Sequence, residues 1–424
     1  MSSTRVLLLL ALGVVSCSTR ASSDSSGAGA GSKDAAADAS AGSGNTSGSD
    51  AGDAGDATES ADDAADGSQG NDGGLDGGSG LDATTSGEGG SGYDGGAADA
   101  RTDGAAGGLD YMIGIKTNGV PTGPAKVQAW LGRPVDLAGT TITTTSYIGS
   151  GSAYTNASGA HPLLECSFPL LSIFGESNDL DDMAQAASGS YDATYEAMSE
   201  ALAAWPNPLL SVRIGWEFNG NWYKWSNGVG TNATYANYVA AFKRVAALVR
   251  KHNPHALVQW NVAWGQPDPT PYWPGAYDAT SNPGGVDVVS MDFYQANISQ
   301  YNNGGTQSKW ALAQSGVTID LDWMTSFAQA NGIKVALSEY GAGSPSSGGE
   351  GSGPGLDDGT WTAASIAWIS GLPAGLFLWT SWSDDAPADD IVTTGANPAE
   401  QAAWSAQWGG THFAGTWWQG TPPP

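Results

Sequence analysis

Ser211-Val212-Arg213-Ile214-Gly215-Trp216-Glu217-Phe218-Asn219-Gly220-Asn221-Trp222-Tyr223-Lys224-Trp225 begins as a short apolar run and delivers one glutamate into a nest of indoles. Ile333-Lys334-Val335-Ala336-Leu337-Ser338-Glu339-Tyr340-Gly341 repeats the pattern, a strand-like run closing on a carboxylate beside an aromatic. Runs of this length, rich in Val, Ile and Leu, read as buried strands. Two glutamates brought to the ends of two strands suit a division into an acid and a nucleophile.

Outward from these runs, apolar segments alternate with segments of helical period, which argues for parallel strands joined by crossover helices. Before the first run, Tyr191, Tyr195, Met198 and Leu202 fall at helical spacing and Pro206 ends the helix. After it, Thr234 is a suitable N-cap for a stripe of Tyr235, Tyr238, Val239, Phe242, Val245, Leu248 and Val249, with Arg250 and Lys251 in a last turn that favours cations. Strands are expected at Ala256 to Val262, at Val286 to Asp292, and at Gly375 to Trp379. Helices from Leu321 to Ala330 and from Trp361 to Ser370 lie between the later ones. Upstream, Tyr111 to Ile115, either Ala125 to Trp130 or Val135 to Thr141, and Leu163 to Leu171 complete a set of eight. Eight strands in residues 109 to 424 predict a (β/α)8 barrel, whose site lies at the C-terminal strand ends. Glu217, Trp264, Tyr294, Glu339 and Trp379 all fall at such ends in this register.

The remainder divides by composition. Residues 1 to 17 read as an export signal, with Arg5, an apolar stretch from Val6 to Val15 too short to span a bilayer, and Cys17 at the cleavage region. Val14-Val15-Ser16-Cys17 resembles a lipobox, so Cys17 is expected to be lipidated in an outer-membrane or cell-surface lipoprotein, with ordinary secretion as the alternative. Residues 18 to 108 are almost entirely Ser, Gly, Ala, Asp and Thr, with 17 acidic residues against three basic, and read as a disordered, self-repelling tether. Residues 109 to 424 carry 26 acidic against 11 basic residues, which makes nucleic acid an unsuitable partner. They also hold all 18 tryptophans, an excess that suits a neutral polyhydroxylated ligand, although most are expected in the core and roughly a third at the ligand.

Arg213, Trp216-Glu217-Phe218-Asn219-Gly220, Trp222 and Trp225 resemble the fourth-strand motif of glycoside hydrolase family 26, the β-mannanases and related hemicellulases of clan A. Ser338-Glu339-Tyr340-Gly341 is similar to its seventh-strand nucleophile motif. The resemblance spans residues 109 to about 418. It implies a retaining endo-hydrolase of β-linked plant polysaccharide, mannan or glucomannan foremost, with xylan or β-glucan behind. Glu217 would be the acid/base, Glu339 the nucleophile and Tyr294 its hydrogen-bond partner, while Trp222 and Trp379 would wall the central subsites. Asn219, Trp225 and Trp264 join Arg213 and Trp216 as expected substrate contacts. One departure is plain: the family carries His before its acid/base, and this chain carries Trp216.

Arg213 lies four residues before Glu217 on the same strand face. It reads equally as a group that keeps the carboxylates ionised and as one half of a buried ion pair. Asp292 reads as a structural, hydrogen-bonded carboxylate. His161, His252, His255 and His412 have no metal-ligand spacing, and neither metal nor cofactor is expected. Asp384, Asp385, Asp389 and Asp390 read as a solvated loop, and Ser344 to Asp358 as a mobile border of the cleft. A monomer is expected, touching the membrane only through its lipid. The competing class is a noncatalytic glycan-binding lipoprotein, which Trp216 favours and the carboxylate pair opposes; a lyase or transglycosylase using the same pair is a third reading.

Overall fold

In the computed structural model, the described residues are 109–116, 122–142, 154–173, 180–299, 306–341, 357–383, 397–411 and 413–415. Cys17, the tether, His412, the acidic loop at 384–390 and most of the 344–358 border lie outside them. No helix among the described residues is long and apolar enough to cross a membrane.

Eight parallel strands close into a barrel in sequence order: β1 (Met112–Lys116), β2 (Leu137–Thr141), β3 (Leu163–Phe168), β4 (Leu209–Ile214), β5 (Leu257–Ala263), β6 (Val288–Tyr294), β7 (Lys334–Gly341) and β8 (Phe377–Ser383), the last returning to pair with β1. The connections carry α1 (Gly123–Leu131), α2 (Met183–Ser188), α3 (Asp192–Ala203), α4 (Tyr235–His252), α5 (Gln295–Ser299), α6 (Thr306–Ser315), α7 (Leu321–Asn331) and α8 (Gly359–Gly371), and α9 (Pro398–Trp408) follows β8. The choice between Ala125–Trp130 and Val135–Thr141 falls to the second. Pro124 in the first turn and Gly132 in a left-handed terminal conformation bracket the earlier run as helix α1.

Local chemistry sets the helix boundaries. Thr234 accepts the Asn237 N–H at 3.2 Å and Asp320 accepts the Trp323 N–H at 2.9 Å, while Asp358 caps α8 through the N–H groups of Thr360 and Trp361. On the outer face, α3 and α4 bring Glu196 and Glu200 beside His252, a proximity invisible in the spacing of the histidines. Lys251 and His252 both bond Glu196 there.

Inside the barrel the pleat sends alternate side chains to the axis, and they sort by height. At the N-terminal ends Met112, Leu137, Leu163, Leu210, Val288, Ala336, Leu378 and Trp379 make an apolar floor of their own. One layer up, Gln259 donates to Glu165 at 2.7 Å and to Ser211 at 2.6 Å and accepts from Ser338. The charged side chains come above these, at the C-terminal mouth.

The tryptophans mostly join barrel to helices. Trp260 stacks on Phe218 and Phe327, and Trp382, Trp404 and Trp408 form another cluster. Trp222, 46% exposed, is the one strongly exposed tryptophan among the described residues.

Candidate active site

Arg213, fifth residue of β4, is fully buried and is the hub of the mouth. Its guanidinium reaches both oxygens of Asp292 on β6 at 2.7 Å, Ser167 on β3 at 2.8 and 3.0 Å, and Oε1 of Glu339 on β7. Both readings of Arg213 thus hold at once. Burial, the largest influence, raises the Asp292 carboxyl well above the usual carboxylate range against the opposing pull of Arg213, whose Nη1 alone reaches both of its oxygens; the Asn261 amide donates to Oδ1 at 2.8 Å.

Glu339 reaches this cluster because β7 is irregular. Met291 of β6 pairs with Leu337, but Asp292 pairs with Glu339, so one β7 residue is extra. Such a bulge re-aims a side chain. Here it lets the consecutive residues Ser338 and Glu339 both turn inward, Ser338 to Gln259 and Glu339 to the mouth. Lys116, last residue of β1, joins Arg213 on Oε1, while the Tyr294 hydroxyl donates to Oε2 at 2.8 Å. Burial alone would raise this carboxyl; the Arg213 and Lys116 charges outweigh it and bring it down to about 2.

Glu217 sits three residues beyond β4 in an unusual backbone state. Its φ of 49° is left-handed, a conformation that costs a non-glycine residue about 1–3 kcal/mol and collects at functional sites. Its N–H is held by the Asn261 carbonyl at 3.1 Å and side-chain oxygen at 3.2 Å. Trp222 donates its indole N–H to Oε2 at 2.9 Å, its ring lying over Gly220, where a Cβ would come within 2.5 Å. Burial first and the Glu339 charge second raise this carboxyl to about 7, against the opposing pull of Trp222, Arg213 and Lys116. Two carboxyls of the same residue type are thereby separated into one that holds its proton and one that does not.

The expected contacts divide into two sets. Glu217, Glu339, Arg213, Tyr294 and Trp222 come together. Trp216 packs beneath them, with Arg213 5.5 Å from its ring centroid, but its indole N–H goes to the Tyr223 hydroxyl at 2.8 Å. Trp225 is 0% exposed, stacks on Tyr223 and bonds the Trp216 carbonyl, so it supports that wall from behind. Asn219 uses its whole amide to staple the Glu217 loop to the backbone of Ala263 and Pro267. Trp264 is buried and bonds the Ala313 carbonyl on α6. Trp379 is 0% exposed and lies on the floor, because β8 continues to Ser383 and the strand end is four residues further on.

Sequence reading missed Lys116, which looks like the polar end of a strand, and Asn261, which looks like a break in an apolar one. The signal was parity: Met112, Gly114 and Lys116 alternate on one strand face, as do Gln259, Asn261 and Ala263.

No protein-family model matches the chain, and no curated protein matches it. Solved structures do. An endo-β-1,4-mannanase double mutant of Cellulomonas fimi is similar over 70% of each chain at 17% identity, with a TM-score of 0.51. A family 26 protein from Muricauda is similar over 70% of this chain and 85% of its own, at 14% identity and a TM-score of 0.47. A family 128 endo-β-1,3-glucanase of Amycolatopsis mediterranei covers 70% of this chain and 98% of its own, at 10% identity and a TM-score of 0.38. At these identities the likeness is one of fold.

Proposed function

We propose that the chain is a retaining glycoside hydrolase that cleaves β-linked plant polysaccharide internally, β-1,4-mannan or glucomannan before xylan or β-glucan. The observation that carries this reading is the pair of carboxyls at the ends of β4 and β7, Glu217 raised to about 7 and Glu339 lowered to about 2. A barrel of the kind found in the mannanase of Cellulomonas fimi supports it. In the first step Glu339 attacks the anomeric carbon while Glu217 gives its proton to the leaving oxygen. The resulting ester removes the Glu339 charge, one of the influences that raise Glu217. The acid then becomes more willing to ionise and takes a proton from the water that cleaves the ester. Trp222, its face open and its N–H holding Glu217, is the platform for the sugar on the leaving side.

A purely binding role would be favoured by Trp216, whose polar edge is turned to Tyr223 instead of to the cleft. It leaves unexplained why two oppositely tuned carboxyls share one mouth. Trp216 bears more on which sugar is taken, since it stands immediately before Glu217 where the family carries histidine. The proposal extends to the leader: export, lipidation of Cys17 and a surface tether of residues 18 to 108 would hold the barrel near a polymer while its anchor stays fixed.

The test is reducing-sugar release from mannan, glucomannan, xylan and mixed-linkage glucan. Release from one polymer is expected to fall at least about a thousandfold in both Glu217→Ala and Glu339→Ala, the scale of losing a group that acts in the transition state. Glycan binding without release, retained in both variants, would establish the binder instead.

A further inference from the structure

Lys116 is 5% exposed at the end of β1, and an ammonium is rarely buried without a partner of opposite charge. The barrel makes room for it. Opposite Lys116 in the β1–β2 register is Gly139, where a Cβ would lie 3.0 Å from the lysine Cβ and 3.1 Å from its Cγ. The ammonium then meets Oε1 of Glu339, the same oxygen that Arg213 holds, whereas Oε2 has the neutral Tyr294 hydroxyl.

The groups facing Glu339 are Lys116 from β1, Arg213 from β4, Asp292 and Tyr294 from β6, and Glu217 beyond β4; Glu165 of β3 lies a layer below, its carboxyl raised by burial. Arg213 alone would be shared between two carboxyls, those of Asp292 and Glu339. With Lys116, two cations meet on one oxygen of Glu339, and Glu217 is left free to be the neutral acid.

We propose that Lys116 is a positioning residue for the nucleophile: with Arg213 it clamps Oε1 of Glu339, so that Oε2 is the oxygen presented to the anomeric carbon. The inference rests on the hydrolase reading above. In the step it describes, the C1–Oε2 bond forms as the glycosidic C1–O bond breaks, and that bond's electron pair leaves on the oxygen that takes the Glu217 proton. In the second step water adds at C1, Glu217 takes its proton, and the C1–Oε2 pair returns to Glu339. Oε1 stays in its two charge-assisted bonds throughout, which fixes the carboxylate's rotation.

The experiment uses the full chain labelled with carbon-13 at the glutamate carboxyls, the Glu339 signal being identified by its loss in Glu339→Gln. Lys116→Met is expected to raise the Glu339 titration midpoint by about 1–2 units, the scale of removing a cation within a few ångströms, and Lys116→Arg to restore most of it. The acidic limb of kcat/KM on the hydrolysed polymer moves up with the midpoint, and the alkaline limb set by Glu217 moves up too because a nearby cation is gone. Lys116→Gln takes the place of methionine if that variant does not fold. An unmoved Glu339 midpoint in the uncharged variant overturns the proposal. A shifted midpoint in a protein that releases sugar from no polymer would overturn the hydrolase reading and leave the ion pair standing, so the two failures are separable.

Discussion

The floor and the mouth of the barrel are built by the same eight strands and have opposite chemistry. On the floor, Met112, Leu163, Val288, Trp379 and their neighbours pack without a charge among them. At the mouth, three or four residues along the same strands, Lys116, Ser167, Asp292 and Glu339 are held by one another and by Arg213. The floor is stabilised by area removed from water and tolerates exchange of one apolar shape for another. Every polar member of the mouth depends on a named partner, and removing one leaves another buried and uncompensated.

The sharpest way to break this contrast is Arg213→Met. It takes the guanidinium from two buried carboxyls, Asp292 and Glu339, so it is expected to cost about 3–5 kcal/mol of stability and to abolish sugar release together, read by urea denaturation and by activity on the polymer. Trp379→Ala is the matching change below. It opens a cavity of indole size and is expected to cost about 3–5 kcal/mol in urea denaturation while leaving the kcat/KM of the folded enzyme near wild type. A large fall in kcat/KM would return Trp379 to the substrate wall.

Glu217→Gln separates function from stability within the mouth. The folded value of about 7 lies above the ordinary 4.5, so the native state keeps a proton that the unfolded chain gives up, and stability is lost as pH rises from 4.5 through 7. The glutamine variant is therefore expected to match wild type near pH 4 and to exceed it near pH 8, by on the order of 3 kcal/mol at most, as measured by unfolding at the two pH values. The same titration predicts that wild-type kcat/KM falls above about pH 7, as the acid loses its proton. Least of all, Trp222→Ala removes an exposed ring and is expected to lower kcat/KM about tenfold, about 1.4 kcal/mol, with little change in unfolding midpoint.

The contrast also explains what could be read from the chain. Strands entering Glu217 and Glu339 were legible because each apolar run stops at a carboxylate, and α4 because its stripe and its Thr234 cap agree. Trp379 was misplaced because Phe377-Leu378-Trp379-Thr380-Ser381-Trp382-Ser383 has no breaker, so nothing marks where β8 ends. Asn219 and Trp225 follow the acid and resemble ligand contacts, yet a loop that holds a strained glutamate needs its own staples. Lys116 was hidden for the opposite reason: a cation at a strand end looks solvated until the closure of β1 on β8 and the bulge in β7 bring Glu339 across to it. Position along a strand is local information, whereas partnership across a barrel is not.

The indole of Trp222 donates its N–H to the carboxyl that changes protonation near neutrality. The excited state of an indole responds to the charge at the end of such a bond. The difference in ultraviolet emission between the wild type and Trp222→Phe is thus an optical record of the Glu217 proton, available on a stopped-flow timescale and without a labelled substrate.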